Sequence, residues 1–156
     1  MSTANHINTP GSGVWNKDTL GDALLHASAL ALLDGLKEAV KKDSPIPWRS
    51  YPSDRFVSMY VRVTRRLLQK HRQADPASWR TLELAAIDVQ DPYKGRGTFN
   101  AVVNELQSIA NSSGRALYIE NVLNPDLFRH LKKRPGFYQL RMIGGVSDNC
   151  FAYFPK

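Results

Sequence analysis

Residues 81–111, TLELAAIDVQDPYKGRGTFNAVVNELQSIAN, read as a strand, a basic turn with two glycines, and a helix. Along the strand, Leu82, Leu84 and Ala86 alternate with Glu83, Ala85, Ile87 and Val89, so both faces are mostly apolar, as in a strand covered on both sides. Asp91-Pro92 stops it. After Lys94-Gly95-Arg96-Gly97, the apolar residues Phe99, Val102, Val103, Leu106, Ile109 and Ala110 recur at helical spacing, and Asn111-Ser112-Ser113-Gly114 is the exit. A helix that leaves a strand in this way starts with N–H groups that have no partner and point beyond the strand's end. Gly95 and Gly97 carry no Cβ to hold an anion off the backbone, and Lys94 and Arg96 add positive charge, so a diphosphate is the natural ligand. The plainer reading is an ordinary turn with solvated basic residues. No G-x-x-x-x-G-K-[ST] loop is present, and the G-x-G-x-x-G spacing fails at Asn100.

Upstream, Leu20, Leu24, Ala27, Ala31, Leu32, Leu36 and Val40 mark a helix over residues 18–42, with Asp18 as N-cap and Gly35 as the point where it can split. Residues 43–53 hold Pro45, Pro47 and Pro52 around Trp48 and Tyr51 and read as a loop. FVSMYVRVT (56–64) reads as a strand that pairs with the one at Thr81, and the polar residues 70–80 connect the two. Downstream, residues 116–122 form another strand, and Asn124-Pro125-Asp126 starts a short helix through Lys133. Arg134-Pro135-Gly136 ends that helix. Residues 137–143 and 149–154 then read as two strands joined by a turn with Gly144 and Gly145.

A chain of 156 residues is long enough for one domain that buries about 70% of its unfolded surface without metals or disulfides. The expected organisation is a flexible N-terminal arm, 1–17, and a single domain, 18–156. Cys150 is the only cysteine, which points to a reducing compartment and a structural thiol. Residues 1–17 lack the basic start and apolar run of a signal peptide, and the Leu/Ala stretch 20–36 is too short and too polar to span a bilayer, so a soluble cytoplasmic protein is expected, without a membrane partner. The formal net charge of +7 suits a nucleic acid, an acidic protein surface or a phosphorylated ligand. Arg62, Arg65, Arg66, Lys70, His71 and Arg72 form the densest basic cluster, although no aromatic residues are interleaved with it and the plainer reading, a solvated strand end, fits it better.

The strand, the turn Lys94-Gly95-Arg96-Gly97-Thr98-Phe99 and the helix, followed by a strand, a short helix and Arg134-Pro135-Gly136-Phe137, resemble the GNAT superfamily of N-acetyltransferases, whose hallmark is Q/R-x-x-G-x-G/A between a strand and a helix. Gly97 keeps the middle glycine, Lys94 stands where the family has Gln or Arg, and Phe99 replaces a small residue. The resemblance covers residues 56–154 and is similar to small stand-alone members encoded by phages and mobile elements. It implies an α/β fold with a mostly antiparallel mixed sheet flanked by helices on both faces. It further implies that the backbone of Ile87, Asp88 and Val89 pairs with the pantetheine arm of acetyl-CoA, and that Lys94, Gly95, Arg96, Gly97, Thr98, Phe99 and Asn100 cradle its pyrophosphate.

Acyl transfer needs a base for the incoming amine and an acid for the departing thiolate. Glu83 is the candidate base, being the only acid on its face of the strand and lying where some family members carry a catalytic glutamate; the plainer reading pairs it with Arg62 or Arg65. The family's helix tyrosine falls on Lys132, which can stabilise a thiolate electrostatically, so Tyr138, with Tyr118 and His130 behind it, stands in as acid. Asn121 can hold a water or a substrate group. The expected activity is acetyl-CoA-dependent N-acetylation of a primary amine, on a protein lysine, a protein N-terminus or a small molecule, by direct attack in a ternary complex and without a metal. The alternative is a catalytically weak protein of the same fold that engages a host protein or nucleic acid through Arg62, Arg65 and Arg66.

Overall fold

The computed structural model describes residues 17–70, 74–140 and 149–156. The arm up to residue 16, His71, Arg72 and the Gly144-Gly145 turn lie outside the described residues. Helices α1 (Lys17–Ala31) and α2 (Asp34–Lys42) precede strands β1 (Trp48–Ser50), β2 (Val57–Leu68) and β3 (Ala77–Val89); α3 (Thr98–Ser113), β4 (Ala116–Ile119), α4 (Pro125–Lys133), β5 (Phe137–Leu140) and β6 (Cys150–Tyr153) follow. The strands form a six-stranded mixed sheet in the order β1-β2-β3-β4-β6-β5. Only β3 and β4 run parallel, with α3 as the crossover that a parallel pair requires; the other pairs are antiparallel. The α/β class and the largely antiparallel sheet are as the sequence implied, whereas the helices, implied on both faces, pack on one side of the sheet among the described residues.

Three local readings are corrected. The first helix breaks at Leu32-Leu33 rather than at Gly35, because Leu33 turns wholly into the core while Gly35 lies against the Trp48 indole, where a Cβ would sit 3.4 Å from Cζ2. Trp48-Arg49-Ser50, read as loop, is an edge strand paired with Val63, Arg62 and Val61, which satisfies its backbone beside the prolines. The connection before β3 is shorter than the polar run suggested, since Trp79 and Arg80 already pair with Arg66 and Arg65.

Simple alternation also fails along β3. Tyr60 opposes Ala86 but Val61 opposes Leu84, so Ala85 is an unpaired β-bulge. The extra residue exchanges the faces. Leu82 and Leu84 before it and Ile87 and Val89 after it therefore share one side, opposite Val63, Val61, Met59 and Val57. Onto that side pack Leu25, Ala29 and Leu33, then Leu36 and Ala39 of α2, Val102, Val103 and Leu106 of α3, and Leu131 of α4. Each fully buried leucine there contributes about 1.5–3 kcal/mol. Among the described residues, the cluster on the opposite side takes only strand and loop residues, with Tyr118, Cys150 and Ala152 at its centre.

Candidate active site

The sheet opens where β3 outlasts its parallel partner. β3 pairs with β4 from Thr81 to Leu84 only, and the last bond joins the Glu120 N–H to the Leu84 carbonyl at 3.0 Å. β2 stays paired with β3 through Val89, so Ile87, Asp88 and Val89 have strand backbone on one side and, among the described residues, none on the other. At the end of this open edge a 3-10 turn, Asp91–Tyr93, leads to Gly95 and Gly97, both left-handed at φ 75° and 79°. Glycine is the residue that adopts this conformation without strain. α3 begins at Gly97 with no side-chain cap, and its first helical bond runs from the Ala101 N–H to the Gly97 carbonyl. The Thr98, Phe99 and Asn100 N–H groups therefore have no helical partner. Thr98 is itself buried, and its Oγ1 has no hydrogen-bond partner among the described residues.

The cations of the turn are held in place by carboxylates. Lys94 Nζ lies 2.8 Å from Asp91 Oδ1, and their hydrogen bond raises the lysine pKa and lowers that of the aspartate. Arg96 reaches Asp22 of α1 at 3.5 Å, and His26 Nε2 of α1 donates to the Arg96 carbonyl at 2.7 Å. α1 thus clamps the turn. Phe99 packs against the core beneath α3, with its ring 6.5 Å from that of His130, so its bulk is directed away from the turn. Asn100 accepts from Arg134 Nη1 at 2.5 Å and contacts His130 Nε2 at 3.2 Å, which ties α4 to the start of α3.

A second polar group lies on the other side of the sheet. Glu83 is fully buried, and its carboxylate accepts from Arg66 Nε at 2.6 Å, Arg66 Nη2 at 3.2 Å and Thr81 Oγ1 at 2.9 Å, with Arg62 Nε at 2.7 Å from Oε2. Three of the carboxylate's about four acceptor positions are thus hydrogen-bonded, and the Arg62 ion pair lies against Oε2. Glu120, just past β4, shares the same arginines: Arg62 Nη2 donates to its Oε2 at 2.5 Å, whereas Arg66 Nη2 stays 3.7 Å from its Oε1. Burial works against charge on Arg62 and Arg66, but the carboxylates outweigh it and raise both pKa values. The two arginines and two glutamates are mutually neutral, so Arg62 and Arg66 add no free charge for a polyanion; Arg65 has no ion pair with either glutamate.

Two tyrosines border this group in opposite states. Tyr118 is buried, with Arg66 4.2 Å over its ring; burial, then hydrogen bonding to Cys150, pushes its pKa above the usual phenol value. Tyr60 stacks on Tyr51 at 4.2 Å, and a hydrogen bond from Tyr51, with others from Arg62 and Arg49, holds its pKa below the usual value against the opposing effect of burial. Tyr60 opposes Ala86, next to the bulge. A cavity of about 560 Å³ lies over these residues, lined by Trp48, Arg49, Tyr60, Arg62, Arg66 and Glu83 among others.

The remaining sequence candidates are dispersed. Tyr138 is half-exposed on the edge strand β5 and leans on Phe154, three strand spacings, about 14 Å, from β3, so it is not brought to Glu83. Lys132 is exposed on α4, 6.0 Å over the Phe128 ring. Asn121 is exposed just past Glu120, with a left-handed φ of 51°. Tyr60 and Glu120 were missed. Their signal lies in strand register: Tyr60 sits opposite Ala86 at the bulge, and Glu120 is the first residue past the parallel pairing.

No family model matches the sequence, and no curated protein matches it. Among solved structures the chain is similar to NAA60 of Arabidopsis thaliana in complex with a bisubstrate analogue, at 15% identity and a TM-score of 0.42, over 81% of this chain and 95% of that one. The geometry of the site itself carries the functional reading.

Proposed function

We propose that the protein is an acyl-CoA-dependent N-acyltransferase, with acetyl-CoA as donor and a primary amine as acceptor in a ternary complex. One observation carries this reading: an uncapped helix start behind two left-handed glycines, at the end of a strand edge left open by its parallel neighbour. The N–H groups of Thr98, Phe99 and Asn100 suit a pyrophosphate, with Lys94 and Arg96 exchanging their aspartates for it. The open backbone of Ile87, Asp88 and Val89 suits the amides of a pantetheine arm. No metal enters the reading. The bound thioester supplies the electrophile.

The roles of the chain's own residues follow from which groups are free. Glu120, with one oxygen not hydrogen-bonded to an arginine, receives the amine's proton. Glu83, fully buried and held by Arg66, Thr81 and the Arg62 ion pair, is a positioning residue that fixes Arg62 and Arg66. Tyr60, acidified by its neighbours, gives its proton to the departing thiolate. The neutralised arginines weigh against the alternative of a polyanion-binding protein built on Arg62 and Arg66.

The test is a pH–rate profile of thiol release from acetyl-CoA with an amine and peptide panel. Glu120→Gln should lower kcat by about 10²–10⁴ while the fold persists, the range of a lost general base. Because the Tyr60 phenol must be protonated to act, wild-type activity should fall as pH rises through a pKa below the usual tyrosine value, and Tyr60→Phe should remove that limb. Undiminished kcat in Glu120→Gln, or an unchanged alkaline limb in Tyr60→Phe, overturns the corresponding role; absence of acetyl-CoA binding overturns the reading.

A further inference from the structure

Charges that this chemistry leaves unused gather at the open edge of β2. β1 stops at Trp48 opposite Val63, so from Thr64 onward that edge has no strand beside it among the described residues. Two cavities meet there, sharing Pro47, Thr64 and Arg65: the one over Glu83 and a second of about 330 Å³ that reaches Asp43, Arg80 and Arg115. Beyond the mutually neutral group of Arg62, Arg66, Glu83 and Glu120, the pair is lined by Arg49, Arg65, Arg80 and Arg115 against the single carboxylate of Asp43. Arg65 lies directly opposite Arg80 across the strands, a like-charge pair that costs stability. Arg80 and Arg115 share the single carboxylate of Asp43, while Arg65 and Arg49 have no carboxylate partner among the described residues. Arg115 is only 3% exposed. Residues 1–16 contain no Asp or Glu and so supply no internal counter-charge.

We infer that this edge binds an acidic polypeptide segment in extended form, and that this segment carries the acceptor amine, an inference that rests on the acyl-transfer reading. The open backbone of β2 offers strand pairing, and the surrounding guanidiniums offer forked partners for carboxylates. From Tyr60, the proposed acid on β2, to Arg65 is about 17 Å of strand, a span that a free amino acid or small diamine does not cover and that about five extended residues do. A cationic polyamine meets the wrong charge. A nucleic acid cannot pair with the open strand backbone, and Tyr60, already stacked on Tyr51, has that ring face occupied.

The experiment is calorimetric titration of the full chain with nine-residue peptides of one length that carry Asp and Glu, Gln, or Lys at the third to sixth positions, and with a single-stranded RNA of equal charge. The acidic peptide should bind at least tenfold more tightly than the Gln peptide, and Arg65→Gln, whose folding is checked by its thermal transition, should bring that ratio close to one. Rising salt should narrow the ratio. Equal binding of all three peptides, an acidic preference that survives Arg65→Gln, or tighter binding of the RNA overturns the inference. Acetyl-CoA is titrated in parallel: binding of acetyl-CoA without acidic preference sinks the edge and leaves acyl transfer standing, and the reverse result sinks acyl transfer and with it the acceptor role of the segment, leaving the edge as a peptide-binding surface.

Discussion

The helices on either side of β4 begin in opposite ways. α4 starts behind Asn124, whose Oδ1 accepts from the Asp126 N–H at 2.9 Å and the Leu127 N–H at 3.3 Å, with Pro125 removing one donor from the first turn. α3 starts behind Gly97, which has no side chain to offer, and its nearby cations lean on Asp22 and Asp91. Against a side-chain cap, glycine gives up only a few tenths of a kcal/mol, a small loss for a helix that sets Val102, Val103, Leu106 and Ala110 in the core. α4 satisfies its own first turn; α3 leaves its donors for a ligand.

The largest effect that sharpens this contrast is expected at Gly97. Gly97→Val forces a β-branched residue to φ 79°, costing about 1–3 kcal/mol of stability, and displaces the N–H groups behind it. Urea unfolding should show that loss, and calorimetry should show acetyl-CoA affinity reduced at least tenfold. The smaller effect belongs to the other helix. Asn124→Ala should cost about 1 kcal/mol in the same unfolding experiment and leave the acetyl-CoA Kd within about twofold of wild type, since only a structural cap is lost. If Asn124→Ala weakens acetyl-CoA as much as Gly97→Val does, the two starts do not differ in role.

The difference between the helix starts was legible in the sequence because capping is local: Gly97 before one apolar period and Asn124-Pro125 before another can be read without knowing what either packs against. The strand before the turn was legible for the same reason. What escaped depends on two segments at once. The Ala85 bulge exists only in the pairing of β3 with β2, and without it Ile87 and Val89 fall on the wrong face. Alternation along β2 sets Arg66, not Arg65, on Glu83, and occupies the glutamate first read as the free base. Glu120 becomes notable only because β4 ends one residue before it while β3 runs on. Tyr138 looked available in the sequence because nothing there says that β6 separates β5 from β4.

The most direct test of the central claim compares the two helix starts in one spectrum. In a titration of the ¹⁵N-labelled protein with acetyl-CoA, the backbone amides of Gly97, Thr98, Phe99 and Asn100 should shift most, together with those of Ile87, Asp88 and Val89 along the open edge, while Asp126 and Leu127 stay put. Unmoved amides at the start of α3, at saturating acetyl-CoA or with the largest shifts elsewhere, would contradict it.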